Sequence, residues 1–339
     1  MTLDFSKNTF TIDVELYNET WQQEILHFLK EYLHNTKIKV TTSGSTGKPK
    51  TLYILKKFMK NSALITGDYF NLQQGHTALL CLPIHYIAGK MMLVRAVELG
   101  LKLVCVSPSG NPLEHIKTTI DFCAMVPLQV EQSLSKISFI KQLIIGGAPI
   151  SSQLEKQLQQ VNTLCFATYG MTETVTHIAI KPLNHVLKSE YYTILNGITI
   201  TKDFRGCLVI DCPHLNSDQV ITNDMVELIN EKQFQFLGRY DHVINSGGVK
   251  IHPEIVEKKL SSVFSERFFI TAIPDEKLGE KVVLIIEKEK TNTTPTLTAY
   301  LEKFEIPKHI FYTQKFIETP TGKIKRNETL NHILSSQIS

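Results

Sequence analysis

The stretch TTSGSTGKPK at residues 41–50 groups Thr41, Thr42, Ser43, Ser45 and Thr46 around Gly44 and Gly47, with Lys48 and Lys50 closing it. Glycines let a backbone approach a ligand and offer its N–H groups, hydroxyls add donors, and lysines add charge that suits phosphate. The run has the composition of a cradle for nucleotide phosphates. It is not a Walker loop, because only two residues separate Gly44 from Gly47 and Pro49 follows Lys48 where that motif needs Ser or Thr. Proline is costly inside a helix, so the loop is expected to lead into an extended segment or hairpin. A polar surface turn is the plainer alternative.

Five further clusters carry chemistry. YGMTET at 169–174 offers an aromatic ring for a purine and, in Glu173, an oxygen ligand for a hard cation such as Mg²⁺; it also reads as a helix start capped by Thr172. Asp224 in ITNDMVEL could hold ribose hydroxyls, though Asn-Asp alone is turn chemistry. GRYDH at 238–242 supplies Arg239 and Asp241, and Ser246-Gly247-Gly248 makes a turn against which a ligand could lie. PTGKIKR at 320–326 exposes Lys323, either a solvated lysine or a cation delivered to an anionic transition state.

These residues need a scaffold. Short apolar runs at 78–82, 101–106, 122–126, 142–146 and 163–167 have strand length, and segments 55–69, 87–99, 112–119 and 151–160 between them suit helices. Ser151 and Ser152 would cap the last helix. Strand–helix alternation means a parallel sheet covered by helices, with ligands at the carboxyl ends of the strands. Both GGAP at 146–149 and YGMTET follow predicted strands. From about 190 to 238 the pattern turns to short β segments, followed by a helix and strand mixture with strands at FFITAI and VVLIIE and a helix near 295–303. TWQQEILHFLKEYL near the start reads as one amphipathic helix. The expected fold is α/β: a large N-terminal domain over 1–240, with a helix-covered mostly parallel sheet and a β-rich part, then a small mobile α+β domain over 241–339.

A chain of 339 residues, 42% hydrophobic and 20% charged, is long enough for two domains. Its net charge of +3 is too small to argue for nucleic acid or an anionic membrane. Six cysteines without C-x-x-C spacing read as buried free thiols in a reducing compartment, with no zinc pattern. The N-terminus lacks a signal peptide's charged and apolar regions, and no stretch approaches a bilayer span. A cytoplasmic protein is expected.

Taken in order, TSGSTGKPK, YGMTET, the β-segment Asp224, GRYDH, SGG and PTGK resemble the acyl-adenylate-forming superfamily, which includes acyl-CoA synthetases, peptide-synthetase adenylation domains and luciferases. The resemblance covers about residues 40–326. It implies that a carboxylate attacks the α-phosphate of ATP to give an acyl-AMP, and that a thiol then takes the acyl group. By resemblance Thr42, Ser43, Gly44, Ser45, Thr46, Gly47 and Lys50 hold the β- and γ-phosphates, Thr172 touches the α-phosphate and Glu173 holds Mg²⁺. Gly147, Ala148, Pro149 and Tyr169 line the adenine pocket, and Asp224 and Arg239 hold the ribose. Lys323 matches the adenylation lysine and Asp241 the hinge about which the C-terminal domain turns. Gly247 and Gly248 would meet coenzyme A.

LPIHYIAGKMML at 82–93 resembles the segment that lines the acyl pocket, with His85; by resemblance Gly146 and Gly170 also meet the acid. This P-x-H-x-x-x-G form and the compact length resemble the o-succinylbenzoate–CoA ligase branch, which serves menaquinone biosynthesis. Its acid carries a second carboxylate and so needs a cation or donors in an apolar pocket. Lys90 is the first candidate, with Arg95 or His177 behind it; the plain alternative for Lys90 is a helix-surface lysine. Another acyl- or aryl-CoA ligase, a stand-alone enzyme loading a carrier protein, and a non-catalytic ATP- or acyl-binding relic are the rivals, although a relic has no need of Glu173 or Lys323. Only some forty residues precede the phosphate loop, where the family carries more, so a shortened acyl-pocket wall or dependence on a second subunit is expected.

Overall fold

The structure is a computed structural model describing residues 1–7, 17–41, 51–289, 296–319 and 323–338. The first elements are β1 (Thr2–Asp4), α1 (Thr20–His34), β2 (Lys37–Thr41), β3 (Thr51–Leu55), α2 (Lys56–Phe70), β4 (Thr77–Leu80), α3 (Ile87–Leu99) and β5 (Lys102–Cys105). Next come β6 (Ile120–Met125), α4 (Pro127–Ser133), β7 (Ile140–Ile145), α5 (Ser152–Leu158) and β8 (Leu164–Gly170). Strands β5-β4-β6-β7-β8 lie side by side and parallel. Their sequences are almost continuously apolar because helices cover both faces, as the burial of Phe122, Cys123, Leu143 and Ile145 attests.

The same sheet continues antiparallel through β9 (His177–Pro182), β10 (Tyr192–Ile194), β11 (Thr199–Lys202), β12 (Cys207–Asp211), β13 (Val220–Asn230) and β14 (Gln233–Arg239), in the order β9-β10-β14-β13-β12-β11. Here burial alternates along β13, one face packed and one wet. The smaller C-terminal part holds β15 (Ile244–Ser246), β16 (Val249–Ile251), α6 (Pro253–Leu260), β17 (Phe268–Asp275), β18 (Gly279–Glu287), β19 (His309–Thr313) and α7 (Arg326–Ile338). One apolar cluster runs from Leu3 to Phe234, and two others lie wholly within residues 244–334. The two parts touch where Ser152 Oγ donates to the Ser261 carbonyl at 2.8 Å and where Gly238, at φ 144°, admits the Glu254 carboxylate.

Several local expectations hold. The apolar runs are strands, α1 spans the amphipathic segment, and Ser151 caps α5 by accepting from Leu154 N–H at 3.1 Å. The phosphate-loop residues Thr42, Ser43, Gly44, Ser45, Thr46, Gly47 and Lys50 lie outside the described residues, but their flanks pair as an antiparallel hairpin up to Thr41 opposite Thr51. Others differ. Segment 112–119 is turns, not a helix: it is short and ends in the β-branched pair Thr118-Thr119. The helix falls instead at α4, with Pro127 in its first turn and Gln129 reaching back to Val126 N–H at 3.3 Å. Near 295–303 the described residues form only a short 3₁₀ turn, Leu297–Ala299. All six cysteines are buried and unpaired. No helix among the described residues is long and apolar enough to cross a membrane.

Candidate active site at the strand ends

The carboxyl ends of β7 and β8 deliver two of the sequence clusters side by side. After β7, Gly146 lies so close to Thr168 that a Cβ there would sit 2.4 Å from its hydroxyl, and Gly147 takes φ 84°, open to glycine but strained for other residues. Ala148 is half-buried and Pro149 exposed. After β8, Gly170 packs on the start of β9: a Cβ would meet the Thr176 carbonyl at 2.3 Å and His177 Cα at 2.4 Å.

Between these strands Thr172–Thr174 make one 3₁₀ turn. It is not the longer helix that a cap at Thr172 would start; the cap atom is the Thr174 hydroxyl, which accepts from Met171 N–H at 3.1 Å. Val175 then adopts φ 65°, ψ −55°, and Thr176 N–H bonds the Thr174 carbonyl at 2.7 Å. This is the rare γ-turn of positive φ, and a β-branched residue held there stores strain. Thr172 is half-buried. Glu173 is exposed, its carbonyl accepting from Asn216 at 3.0 Å.

A charged cluster flanks this turn. Tyr169, at the end of β8, is edge-on to Phe234 at 5.1 Å and to Tyr192 at 5.9 Å, and its hydroxyl donates to Asp224 Oδ2 at 2.6 Å. Asp224 is not in a turn: it lies within β13, directly opposite Arg239 on β14. Its Oδ1 sits 3.3 Å from the Arg239 guanidinium, which also donates from Nε to Asp241 at 3.1 Å. Burial pushes the Tyr169 phenol well above its usual range, and the Asp224 carboxylate adds to the shift. Burial opposes the Arg239 charge, but Asp241 and Asp224 outweigh it and hold the pKa up.

Lys323, from the C-terminal part, lies within electrostatic reach of the cluster. It sits where Thr319 N–H bonds the Lys323 carbonyl at 2.9 Å and Lys323 N–H bonds Thr319 Oγ1 at 3.1 Å. Its side chain keeps contact with solvent, yet protein crowds the ammonium. That desolvation, then Arg239, lowers its pKa, while Asp224 and Asp241 pull the other way. The ammonium therefore feels the same carboxylates that hold Arg239.

Not every candidate converges here. His85 is exposed, its ring against Tyr86 at 4.2 Å. Lys90 is no surface lysine: it is 8% exposed, and its ammonium lies 4.0 Å over the Phe28 ring of α1. Burial lowers its pKa and Glu31 opposes. Gly247 and Gly248, at φ 60° and 82°, form the β15–β16 turn, which packs on Leu278 and Phe304 within the C-terminal part. The residues missed by pattern reading are Thr66, Thr176 and Thr222, each hydrogen-bonded to the named groups; isolated threonines carry no signal in one sequence.

A parallel sheet continued antiparallel, with helices on it and a smaller C-terminal part, is the α/β architecture of AMP-forming ligases. Residues 38–199 match the AMP-binding enzyme family. A solved acyl-CoA synthetase (AMP-forming)/AMP-acid ligase II-like protein from Dyadobacter fermentans is 36% identical, with a TM-score of 0.64, covering 94% of this chain and 95% of that one. The chain thus belongs to the AMP-binding, acyl-adenylate-forming family. Curated 2-succinylbenzoate–CoA ligases from Staphylococcus aureus and Escherichia coli are each 25% identical, over 85% and 78% of this chain. The chain spans 65% and 62% of their respective lengths. O-succinylbenzoate coenzyme A synthetase from Bacillus subtilis, solved with ATP and magnesium ion, has the same fold: TM-score 0.74 at 21% identity, over 86% of this chain and 69% of that one.

Proposed function

We propose that the protein is an AMP-forming acid–CoA ligase whose acid is o-succinylbenzoate. The observation that carries the adenylation step is the Asp224–Arg239–Asp241 cluster beside Tyr169, whose charges Lys323 feels from the C-terminal part. Two anions, a carboxylate and the α-phosphate of ATP, must come together, and a fixed cation at their junction offsets their repulsion. Lys323 supplies it. Asp224, oriented by Tyr169 and Arg239, takes the ribose hydroxyls. Gly147, Ala148 and Pro149 border the adenine, and Thr172 takes the α-phosphate.

Thr42–Gly47 and Lys50 grip the leaving pyrophosphate, a role that rests on the sequence alone. Glu173, an exposed carboxylate next to Thr172, would suit a magnesium ion, since Mg²⁺ commonly takes one or two carboxylates plus substrate oxygens. The ion would supply charge neutralisation on the phosphates. His85, Gly146 and Gly170 border the acid.

We place the domain boundary at 240/241, with Asp241 as hinge, because the apolar clusters divide on either side of it. Rotation there would withdraw Lys323 and bring Gly247 and Gly248 toward coenzyme A. The substrate rests on the named relatives and on the P-x-H-x-x-x-G segment. Incubation with ATP, coenzyme A and a panel of acids tests the reading: AMP should appear with o-succinylbenzoate, and AMP formation only with unrelated acids would reject the substrate while keeping the chemistry.

A further inference from the structure

α6 is the helix by which the C-terminal part seats on the N-terminal one. Its Glu254 fills the space beside Gly238, its Lys258 pairs with Glu190 at 3.0 Å, and the Ser261 carbonyl just past its end accepts from Ser152. Glu257 lies between these residues on the helix but binds within its own domain. Its Oε1 accepts from Ile270 N–H on β17 at 2.8 Å. Both of its oxygens take Arg326: Oε1 lies 2.7 Å from Nη1, and Oε2 accepts from Nη2 at 2.8 Å. Arg326 Nη1 also donates to the Ile270 carbonyl at 3.0 Å, and the guanidinium lies 5.6 Å from the centre of the Phe269 ring. Paired bonds of this kind fix direction as well as distance. The two side chains are only 18% and 19% exposed, so water and salt screen them little. Burial raises the Glu257 pKa although Arg326 opposes it.

Arg326 opens α7 and stands three residues after Lys323. The segment that carries Lys323 returns on itself. Glu318 is bridged to Ile324, Lys325 N–H donates to the Ile317 carbonyl at 2.8 Å, and Ile317 N–H donates to Thr329 Oγ1 at 3.1 Å. These bonds set the shape of the return and its junction with α7. Arg326 does something different: it ties the arm bearing Lys323 to β17 and to α6. An ammonium on a flexible four-carbon stem reaches a fixed point only if its backbone is held. A displacement of about 1 Å between reacting groups can cost roughly 100-fold in rate.

We propose that Arg326, gripped by Glu257 and the Ile270 carbonyl, is the positioning residue that fixes Lys323 for adenylation. The seat of α6 on the N-terminal part is thereby passed on to the adenylating lysine. The inference rests on the role given to Lys323 above and requires no contact between Arg326 and substrate.

The test separates the half-reactions. Adenylation is read as ATP–pyrophosphate exchange with the acid that wild type activates, o-succinylbenzoate on the reading above. Thioester formation is read from the preformed acyl-AMP of the same acid with coenzyme A. Arg326→Gln should lower the exchange kcat by roughly 10- to 100-fold and leave thioester formation within about threefold of wild type. Damage to the C-terminal fold alone would lower both together. Arg326→Lys keeps the charge without the paired bonds and should recover exchange in part. Because Arg326 acts through Lys323, the double variant Arg326→Gln, Lys323→Ala should exchange no more slowly than Lys323→Ala alone. Should Arg326→Gln not fold, Arg326→Lys carries the same comparisons, with a loss confined to exchange expected. Undiminished exchange in a folded variant, equal loss in both half-reactions, or additive losses in the double variant overturn the inference alone. Normal exchange by Lys323→Ala, or a wild type that activates no acid, overturns the role of Lys323 and the inference together.

Discussion

Replacing Tyr169 by Phe removes one oxygen and nothing else, so its consequence can be worked from the structure. The hydroxyl donates to Asp224 Oδ2 at 2.6 Å. Asp224 is 9% exposed and keeps only Arg239, at 3.3 Å, as another side-chain partner among the described residues. A hydrogen bond to a charged group contributes about 1.5–3 kcal/mol, and the bare carboxylate oxygen cannot easily recover water. Stability should fall by that amount, about 3–12 °C in Tm for a unit of this size. Asp224 would also lose its fixed orientation, so the KM for ATP should rise roughly 10-fold or more. Calorimetry and carboxylate-dependent ATP–pyrophosphate exchange read the two effects. A double-mutant cycle with Asp224→Asn should return a coupling of at least about 1.5 kcal/mol. Additive single and double mutants, or a KM for ATP within threefold of wild type, would refute the idea that Tyr169 orients a ribose-binding carboxylate.

Other expectations are briefer. Lys323→Ala should cut acyl-adenylate formation by at least about 100-fold with little change in Tm, since its side chain is solvent-accessible; normal exchange activity would remove the lysine from the chemistry. Burial and Arg239 depress the Lys323 pKa, so its charge is lost as pH rises through a value below that of an ordinary lysine. Adenylation should therefore fall on an alkaline limb that Lys323→Arg moves upward, and an unmoved limb would assign it to another group. Gly170→Ala would drive a Cβ to 2.3 Å from the Thr176 carbonyl; it should impair acid binding and stability together, and a fully active, equally stable variant would contradict the packing. Asp241→Pro should harm thioester formation more than adenylation, measured as separate half-reactions; equal loss would count against a hinge there.

Much of this architecture is legible in the sequence because its signals are local. Strands buried on both faces must be apolar throughout, so ALLCL and QLIIG announce themselves, and Ser151 before α5 is a cap that needs only its own turn. What escaped depends on distant partners. Asp224 reads as a turn until Arg239 on the neighbouring strand and Tyr169 across the sheet are seen to hold it. Segment 112–119 buries Leu113 and Ile116 much as a helix would, so its pattern alone does not show that it stays a turn. Lys90 and Arg95 are indistinguishable as cations on one helix; only the neighbours of α3 show that one faces Phe28 and the other Thr176. A lone arginine inside MMLVRAV was nonetheless a usable signal, since an apolar run buries what it contains.

The measurement closest to the central claim is carboxylate-dependent ATP–pyrophosphate exchange by the wild-type protein with o-succinylbenzoate, in the absence of coenzyme A. The account expects exchange that requires the acid and releases AMP once coenzyme A is added. ATP hydrolysis to ADP, or no exchange with any carboxylate, would contradict it.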